Sequence, residues 1–152
     1  MKTLRIYLDT SVFGGCFDAE FARESKQLLG EIRAGRFVVI VSDTLATELL
    51  GAPDAVRDQL VALPSTQVEP VGLAPEAEQL RDAYLAAGVV GPASREDAEH
   101  IAIATVAGAD MVVSWNFKHI VHYEKIAGYN AVNLLHGYKP VLIYSPKEVV
   151  AP

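Results

Sequence analysis

Three acidic residues and one amide lie beside apolar runs in this sequence: Asp9, Glu48, Asp97 and Asn116. A carboxylate at the edge of a buried framework is costly unless a cation or hydrogen-bond donors stabilise it. Mg²⁺ prefers oxygen ligands of this kind, and a bound ion can activate a water molecule for hydrolysis. The pattern therefore predicts a divalent metal site, in which Asn116 stands where a fourth acid is expected.

Each of these residues also has a purely structural interpretation. Asp9 could cap a turn, Glu48 could be an exposed helix residue, and Asp97 could complete a capping box that starts at Ser94. His100 is better explained as a histidine satisfied inside the fold than as a zinc ligand, because no second His or Cys lies nearby at zinc spacing. The combination of sites, more than any single one, favours the metal hypothesis.

Composition limits the class of protein. The chain has 152 residues, is 51% hydrophobic and has a net charge of −6, which predicts one domain, residues 1–152, with a real core. No apolar run approaches the ~18 residues that span a bilayer, so we expect no membrane segment. The single Cys16 fits a reducing cytoplasm. The acidic balance argues against coating nucleic acid through overall charge, although one metal-filled pocket could still bind a phosphodiester.

Apolar periodicity predicts alternating strands and helices. The predicted strands are Leu4–Leu8, Phe37–Val41, Val68–Val71, Met111–Ser114 and Val141–Tyr144. The predicted helices cover about 19–34, 43–51, 54–63, 75–87, 95–107 and 119–127, the second capped by Ser42 or Asp43, the fifth by Ser94, and the last ended or bent by Gly128. This alternation predicts an α/β fold with a parallel sheet and helices on both faces.

Ligands of such sheets gather beyond the carboxyl ends of the strands. Asp9 ends the first predicted strand, and Asn116 lies just past the Met111–Ser114 strand. Glu48 and Asp97 lie on helices, the first of them directly after the second strand. We therefore expect all four residues to meet at one edge of the sheet. Clustered acids repel one another, so at least one pKa should be raised without metal.

Four segments together resemble the PIN-domain nucleases, many of which are VapC-type toxins. They are Leu8–Val12, Glu48–Leu50, Asp97–Ala104 and Asp110–Asn116, and Ser114–His119 resembles a subgroup of these proteins. The resemblance implies a three-layer α/β/α sandwich whose central parallel sheet has about five strands. It also implies RNA cleavage that depends on Mg²⁺ or Mn²⁺ and leaves a 5′-phosphate. Asp9, Glu48 and Asp97 would be the metal ligands, and residue 116 would complete the catalytic group.

The resemblance also implies partners: an RNA substrate, a small antitoxin protein and a second copy of the chain in a homodimer. The apolar stripes of helices 54–63 and 75–87 would suit either an interface or a cover for the core. The expected RNA contacts are Ser11, Arg95, Ser114, Lys118 and His119, with Lys125 as a further cation. Trp115 and Phe117 could stack on an unpaired base or pack in the core. We expect Phe117 and Lys118 to point opposite ways, one buried and one exposed, and Glu96 and Glu99 to be solvated.

Two other functions fit parts of the pattern. A haloacid-dehalogenase-like phosphatase also begins with a strand that ends in Asp, but its second acid is replaced here by Ser11. A non-catalytic PIN-like module that binds RNA or protein would explain Asn116 and the acidic balance. For an active enzyme, the uncharged Asn116 predicts a weak nuclease that prefers Mn²⁺ or uses one metal ion.

Overall fold

The computed structural model describes residues 2–152. The strands are β1 Leu4–Leu8, β2 Phe37–Ser42, β3 Val68–Val71, β4 Met111–Val113 and β5 Leu142–Tyr144. The α-helices are α1 Thr10–Gly15, α2 Ala22–Arg33, α3 Asp43–Leu50, α4 Asp54–Val61, α5 Pro75–Ala86, α6 Arg95–Val106, α7 Tyr123–Leu135 and α8 Pro146–Val149. Short 3₁₀ turns at Ser65–Gln67 and Pro92–Ser94 precede β3 and α6.

The five strands form one parallel sheet in the order β3-β2-β1-β4-β5. This confirms the predicted α/β fold with five parallel strands. Chain order runs outward from β1 to β2 and β3, and then crosses back to β4 on the other side of β1. The boundary between β1 and β4 is therefore the topological switch point, where a crevice opens at the carboxyl ends of the strands.

Alternate residues of the strands face two separate apolar cores. On one face, Ile6 and Leu8 pack with α1, α2, α3 and α8. On the other face, Tyr7 and Val112 pack with α5, α6 and α7. The period of two along each strand sends neighbouring side chains to opposite faces. The molecule is consequently the three-layer α/β/α sandwich that the sequence predicts.

Two elements near the amino terminus differ from prediction. The segment after Asp9 is not a simple turn, because Thr10–Gly15 forms the short helix α1. Its two glycines are poor helix formers, so the sequence does not predict this helix. Gly15 is needed for packing, since a Cβ there would lie 2.6 Å from the Ser25 hydroxyl. The next helix, predicted from residue 19, begins only at Ala22.

The predicted helix 119–127 is wrong in position. The observed α7 starts at Tyr123, where the His122 side chain accepts a hydrogen bond from the Glu124 amide, and it continues to Leu135. Gly128 does not end it. A Cβ at Gly128 would lie 2.9 Å from the Val89 side chain, so this glycine allows α7 to pack closely against Val89.

The two serine caps have different outcomes. Ser42 accepts a hydrogen bond from the Leu45 amide at 3.1 Å, which confirms it as the cap of α3. Ser94 occupies the N-cap position of α6, which begins at Arg95 as predicted, but its side chain makes no capping hydrogen bond. Within residues 2–152, no helix is long and apolar enough to cross a membrane.

Candidate active site

The candidate site lies at the switch point between β1 and β4. Leu8 pairs with Val113 in the sheet, so the residues that follow them, Asp9 and Ser114, leave the sheet side by side. The Asp9 carboxylate is only 5% exposed. Its Oδ1 accepts a hydrogen bond from Ser11 Oγ at 2.6 Å, and its Oδ2 accepts one from Ser114 Oγ at 2.8 Å.

The two serines also position the loop that follows β4. Ser11 Oγ accepts a hydrogen bond from the Trp115 amide, and Ser114 Oγ accepts one from the Asn116 amide, each at 2.9 Å. Ser114 is fully buried. Its hydroxyl therefore supports Asp9 and the loop and is not presented to the surface, whereas the half-buried Ser11 lies at the wall of an open cleft.

Burial raises the pKa of Asp9 above its ordinary value. The nearby His100 and the two serine hydroxyls oppose this effect, and the charge of Asp97 adds to it. The structure thus confirms a raised pKa among the acids of the metal-free protein. The largest cause is removal from water, whereas mutual repulsion of the acids is a smaller contribution.

Glu48 is held by two donors from other elements. His100 Nε2 donates to Glu48 Oε1 at 2.7 Å, and Thr10 Oγ1 donates to Oε2. Burial works to raise the pKa of Glu48, but the hydrogen bond and charge of His100, with the Thr10 hydroxyl, bring it below its ordinary value. Glu48 is therefore an ionised carboxylate at neutral pH, with both oxygens engaged.

His100 belongs to a buried polar chain that the sequence does not reveal. Its Nδ1 lies 2.5 Å from the Tyr7 hydroxyl, which lies 2.7 Å from Ser42 Oγ. Tyr7 is fully buried and His100 is 2% exposed. This confirms His100 as a histidine satisfied inside the fold. The available signal for Tyr7 was a hydroxyl-bearing residue between the apolar Ile6 and Leu8, two positions before Asp9.

Asp97 lies in the first turn of α6 and is half-buried. Burial raises its pKa, the charges of His119 and His100 and a hydrogen bond from Asn116 lower it, and the charge of Glu48 raises it further. Asn116 Oδ1 accepts a hydrogen bond from the His119 amide at 2.9 Å. Asn116 thus places its neutral amide beside Asp97, where an acid would add a charge.

An ion pair behind the site fixes α6 to α3 and α5. Arg81 Nη1 donates to Glu99 Oε1, and Thr44 Oγ1 donates to Glu99 Oε2, each at 2.6 Å. Arg81 is buried. The expectation that Glu99 is solvated is therefore wrong: this carboxylate ties together the helices that carry Glu48 and Asp97. Glu96 is exposed as expected.

An open cleft of about 360 Å³ lies beside Ser11, whose hydroxyl bonds to Asp9. Its lining includes Ser11, Gly14, Phe21, Trp115 and Asn116. Trp115 is 5% exposed and stacks on Phe21 with the ring centroids 4.3 Å apart, so its ring packs in the core. Its Nε1 donates to Ser25 Oγ.

Phe117 and Lys118 are both exposed at the rim of the site, so the expectation that one is buried is wrong. Phe117 is 48% exposed and its ring centroid lies 6.1 Å from that of Trp115. Among the predicted cations, Arg95 is exposed and His119 is half-buried. Lys125 donates to the Val89 carbonyl at 3.0 Å, so its ammonium group is engaged by the protein backbone.

The donors suit a hard divalent cation in type, but they are not preassembled as a cluster. Among residues 2–152, no group of three or more His, Cys, Asp and Glu side chains is arranged to hold a metal ion. The charge of Asp97 nevertheless raises the pKa of Asp9, and the charge of His100 lowers the pKa of both carboxyls. Two buried or half-buried carboxylates with raised pKa values are groups that a cation would stabilise.

The fold is shared with bacterial VapC proteins. The chain is similar to Mycobacterium tuberculosis VapC20, a sarcin-ricin loop cleaving toxin, with a TM-score of 0.56, 19% identity, and 90% of this chain and 98% of that chain covered. It is also similar to VapBC2 from Rickettsia felis, solved bound to a DNA fragment from its promoter, with a TM-score of 0.57, 14% identity, and 93% and 98% covered. No protein-family model and no curated protein matches the sequence. At these identities the likeness shows a PIN-like fold.

Proposed function

We propose that this protein is a metal-dependent endoribonuclease and the toxin of a toxin–antitoxin pair. The observation that supports the proposal is Asp9 at the switch point of a PIN-like sheet, with the charge of His100 acting on Asp9, Glu48 and Asp97, and with burial raising the pKa of Asp9 and Asp97. Carboxyl groups whose pKa is shifted by burial are concentrated at functional sites.

Asp9 and Asp97 are the residues that we assign to binding Mg²⁺ or Mn²⁺. When bound, such an ion supplies a water of lowered pKa and neutralises charge on a phosphodiester. Asp9 is positioned rigidly by Ser11 and Ser114, and Asp97 by the first turn of α6. The exposed Arg95 and Lys118 supply the local positive charge that the net charge of −6 does not.

The test is cleavage of end-labelled RNA hairpins in Mn²⁺, with a sarcin-ricin loop hairpin among them because the Mycobacterium tuberculosis relative cleaves that loop. We expect cleavage in Mn²⁺, weaker cleavage in Mg²⁺ and none in EDTA. Asp97→Asn should lose activity by about 100-fold or more, since a ligand to the ion is removed. The exposed Asp58→Asn on α4 is the matched control and should be active. Metal-independent cleavage, or no cleavage by purified protein, would contradict the proposal and favour a non-catalytic module.

Phe117 is the ring available to an RNA base. It is half exposed next to Asn116, whereas Trp115 is covered by Phe21. We expect Phe117→Ala to weaken single-stranded RNA binding by about 1–2 kcal/mol, or roughly five- to thirtyfold in Kd. Binding is measured by fluorescence anisotropy in the Asp9→Asn background, so that the RNA stays intact. Phe117→Leu keeps an apolar side chain without the ring; equal affinity of the two variants and the parent would exclude stacking.

A small antitoxin is the proposed protein partner, by analogy with the Rickettsia felis complex. The two candidate helices differ in exposure. Helix α5 buries Ala77, Leu80 and Tyr84 and therefore covers the core. Helix α4 buries only Val56 and leaves Val61 75% exposed. Exposed apolar side chains of this kind suit a partner surface, for an antitoxin or a second copy of the chain.

A further inference from the structure

His100 is a buried imidazole among the three carboxylates of the candidate site. Its Nε2 lies 2.7 Å from Glu48 Oε1, and its charge acts on Asp9 and Asp97 as well as on Glu48. It is 2% exposed. One of the two carboxylate oxygens of Glu48 is thus held by a buried ring nitrogen.

Both ends of the imidazole ring are held. Glu48 is a carboxylate and can only accept, so Nε2 must carry a hydrogen in either charge state of the ring. At the other end, Nδ1 lies 2.5 Å from the hydroxyl of the fully buried Tyr7. Tyr7 is anchored in β1 and bonded to Ser42. The ring therefore cannot turn away from Glu48 without breaking a buried hydrogen bond, which is unfavourable.

Glu48 has no carboxylate oxygen free of a protein donor. His100 holds Oε1, and Thr10 Oγ1 holds Oε2. Asp9 also accepts two hydrogen bonds, but both come from serine hydroxyls, whose hydrogens can turn to another acceptor while the oxygens stay in place. Ser11 Oγ, for example, lies 3.4 Å from Ser114 Oγ. Glu48 has one donor of this kind, Thr10, and one donor, His100, that cannot turn. The donor at Glu48 Oε1 is a planar ring fixed at both nitrogens. The three acids are therefore not equivalent toward a cation.

We propose that His100 is a positioning residue that holds Glu48 out of direct contact with the metal ion, so that Asp9 and Asp97 are the carboxylates that ligate it. Glu48 then faces the ion only across a water molecule, with its orientation set by His100 and Thr10. This assignment rests on the proposed metal dependence. It adds which acids of the site bind the ion directly and which acid contacts it through water. Partners that orient groups around a metal commonly change its affinity by about 10–100-fold.

Two pairs of amide variants test the proposal through Mn²⁺ affinity, measured by calorimetry and electron paramagnetic resonance. Glu48→Gln keeps an acceptor for His100 and should change the Mn²⁺ Kd by less than about threefold, because no ligand is lost. Asp97→Asn, the matched control, should weaken it by about 30-fold or more, as loss of a direct ligand does. Glu48 is partly exposed, with 21% of its side chain accessible, so its variant should fold.

The second pair changes His100 itself. The side-chain amide of Gln reaches the position of Nε2 and can keep the hydrogen bond to Glu48, so His100→Gln should bind Mn²⁺ like the parent. The shorter amide of Asn reaches only the position of Nδ1. His100→Asn should release Glu48 to the ion and tighten binding by about tenfold, since one more charged ligand is added. Adding Glu48→Gln to His100→Asn should remove that gain. Thermal melting of each variant identifies any that does not fold, in which case the Glu48 and Asp97 pair decides.

The outcomes separate this inference from the proposed function. If the parent protein binds no Mn²⁺, the metal-dependent function fails and this inference fails with it. If the parent binds Mn²⁺ but Glu48→Gln weakens binding as much as Asp97→Asn does, the proposed function stands and the role of His100 is wrong. Tightened binding by His100→Gln would likewise overturn it, because that variant keeps the donor.

Discussion

Asp9→Asn is expected to abolish RNA cleavage and, at the same time, to stabilise the metal-free protein. The carboxylate is buried, and its pKa is raised chiefly because burial disfavours the charged form. An amide removes the buried charge while keeping polar atoms beside Ser11 and Ser114. We expect activity to fall by about 100-fold or more, because a metal ligand on the most rigid strand is lost. The melting temperature should rise by roughly 2–4 °C, the shift that about 1 kcal/mol produces in a domain of this size.

The stabilising effect of Asp9→Asn should depend on pH with a definite sign. A carboxyl whose pKa is raised by folding binds more protons in the folded state, so stability falls as pH rises from the unfolded pKa through the folded one. Above that window Asp9 is ionised and its burial is costly; below pH 4 it is neutral in both states. The gain in melting temperature should therefore be largest near pH 8 and vanish toward pH 4. EDTA-treated protein, melted from pH 4 to 8, provides the measurement.

Asp58→Asn is the control for this prediction, because it removes one negative charge from an exposed position on α4. It should change neither cleavage nor the pH dependence of melting. Saturating Mn²⁺ should reverse the order of stability, since the parent binds the ion and Asp9→Asn does not. Destabilisation of the metal-free protein by Asp9→Asn at pH 8 would contradict the account of Asp9 as a costly buried charge.

Asn116→Asp is expected to tighten Mn²⁺ binding by about tenfold and to raise the rate of RNA cleavage. The substitution keeps an oxygen for the His119 amide but adds a negative charge beside Asp97. Ligand charge strongly sets the affinity of a site for a hard divalent cation. Without metal, the introduced carboxylate loses the hydrogen bond to Asp97 and repels it, so stability should fall by about 1 kcal/mol. Calorimetric titration, single-turnover cleavage and thermal melting give the three readouts.

Asn116→Ala separates added charge from loss of the amide. It removes the acceptor for His119 without adding a ligand, so it should destabilise the loop after β4 and should not tighten Mn²⁺ binding. If Asn116→Asp neither tightens metal binding nor raises turnover, the site has no place for a fourth charge, and the weak-nuclease explanation of Asn116 is wrong.

The architecture followed from local sequence signals. Short apolar runs predicted four of the strands, and a weak extended stretch, Val68–Val71, predicted the other. All five lie within about one residue of their predicted bounds, and their alternation with helical patterns implied a parallel sheet. The misplaced α7 shows where local signals fail. Its start depends on His122 as a cap and on a preceding turn in which Ile120 and Val121 donate to the Asn116 carbonyl. Its passage through Gly128 depends on contact with Val89.

The candidate residues were found from sequence, but their surroundings were not. Glu99 appeared to be a surface acid, yet it accepts from Arg81 and Thr44, which are 18 and 55 residues away along the chain. Tyr7 appeared to be an ordinary strand residue, yet it bonds to His100, 93 residues away. No local pattern encodes such pairs, because they form only when elements that are distant in the chain come together in the folded protein.

By itself, the sequence determined that Asp9 ends a buried strand, that Glu48 and Asp97 lie on helices beside it, and that Asn116 brings no charge. These properties depend on residue type and periodicity. The tertiary structure alone decided which partner each acid has: rotating hydroxyls for Asp9, a fixed imidazole for Glu48, and a neutral amide for Asp97. The physical reason is that burial and long-range hydrogen bonds set the charge and orientation of a carboxylate, and both arise only from packing.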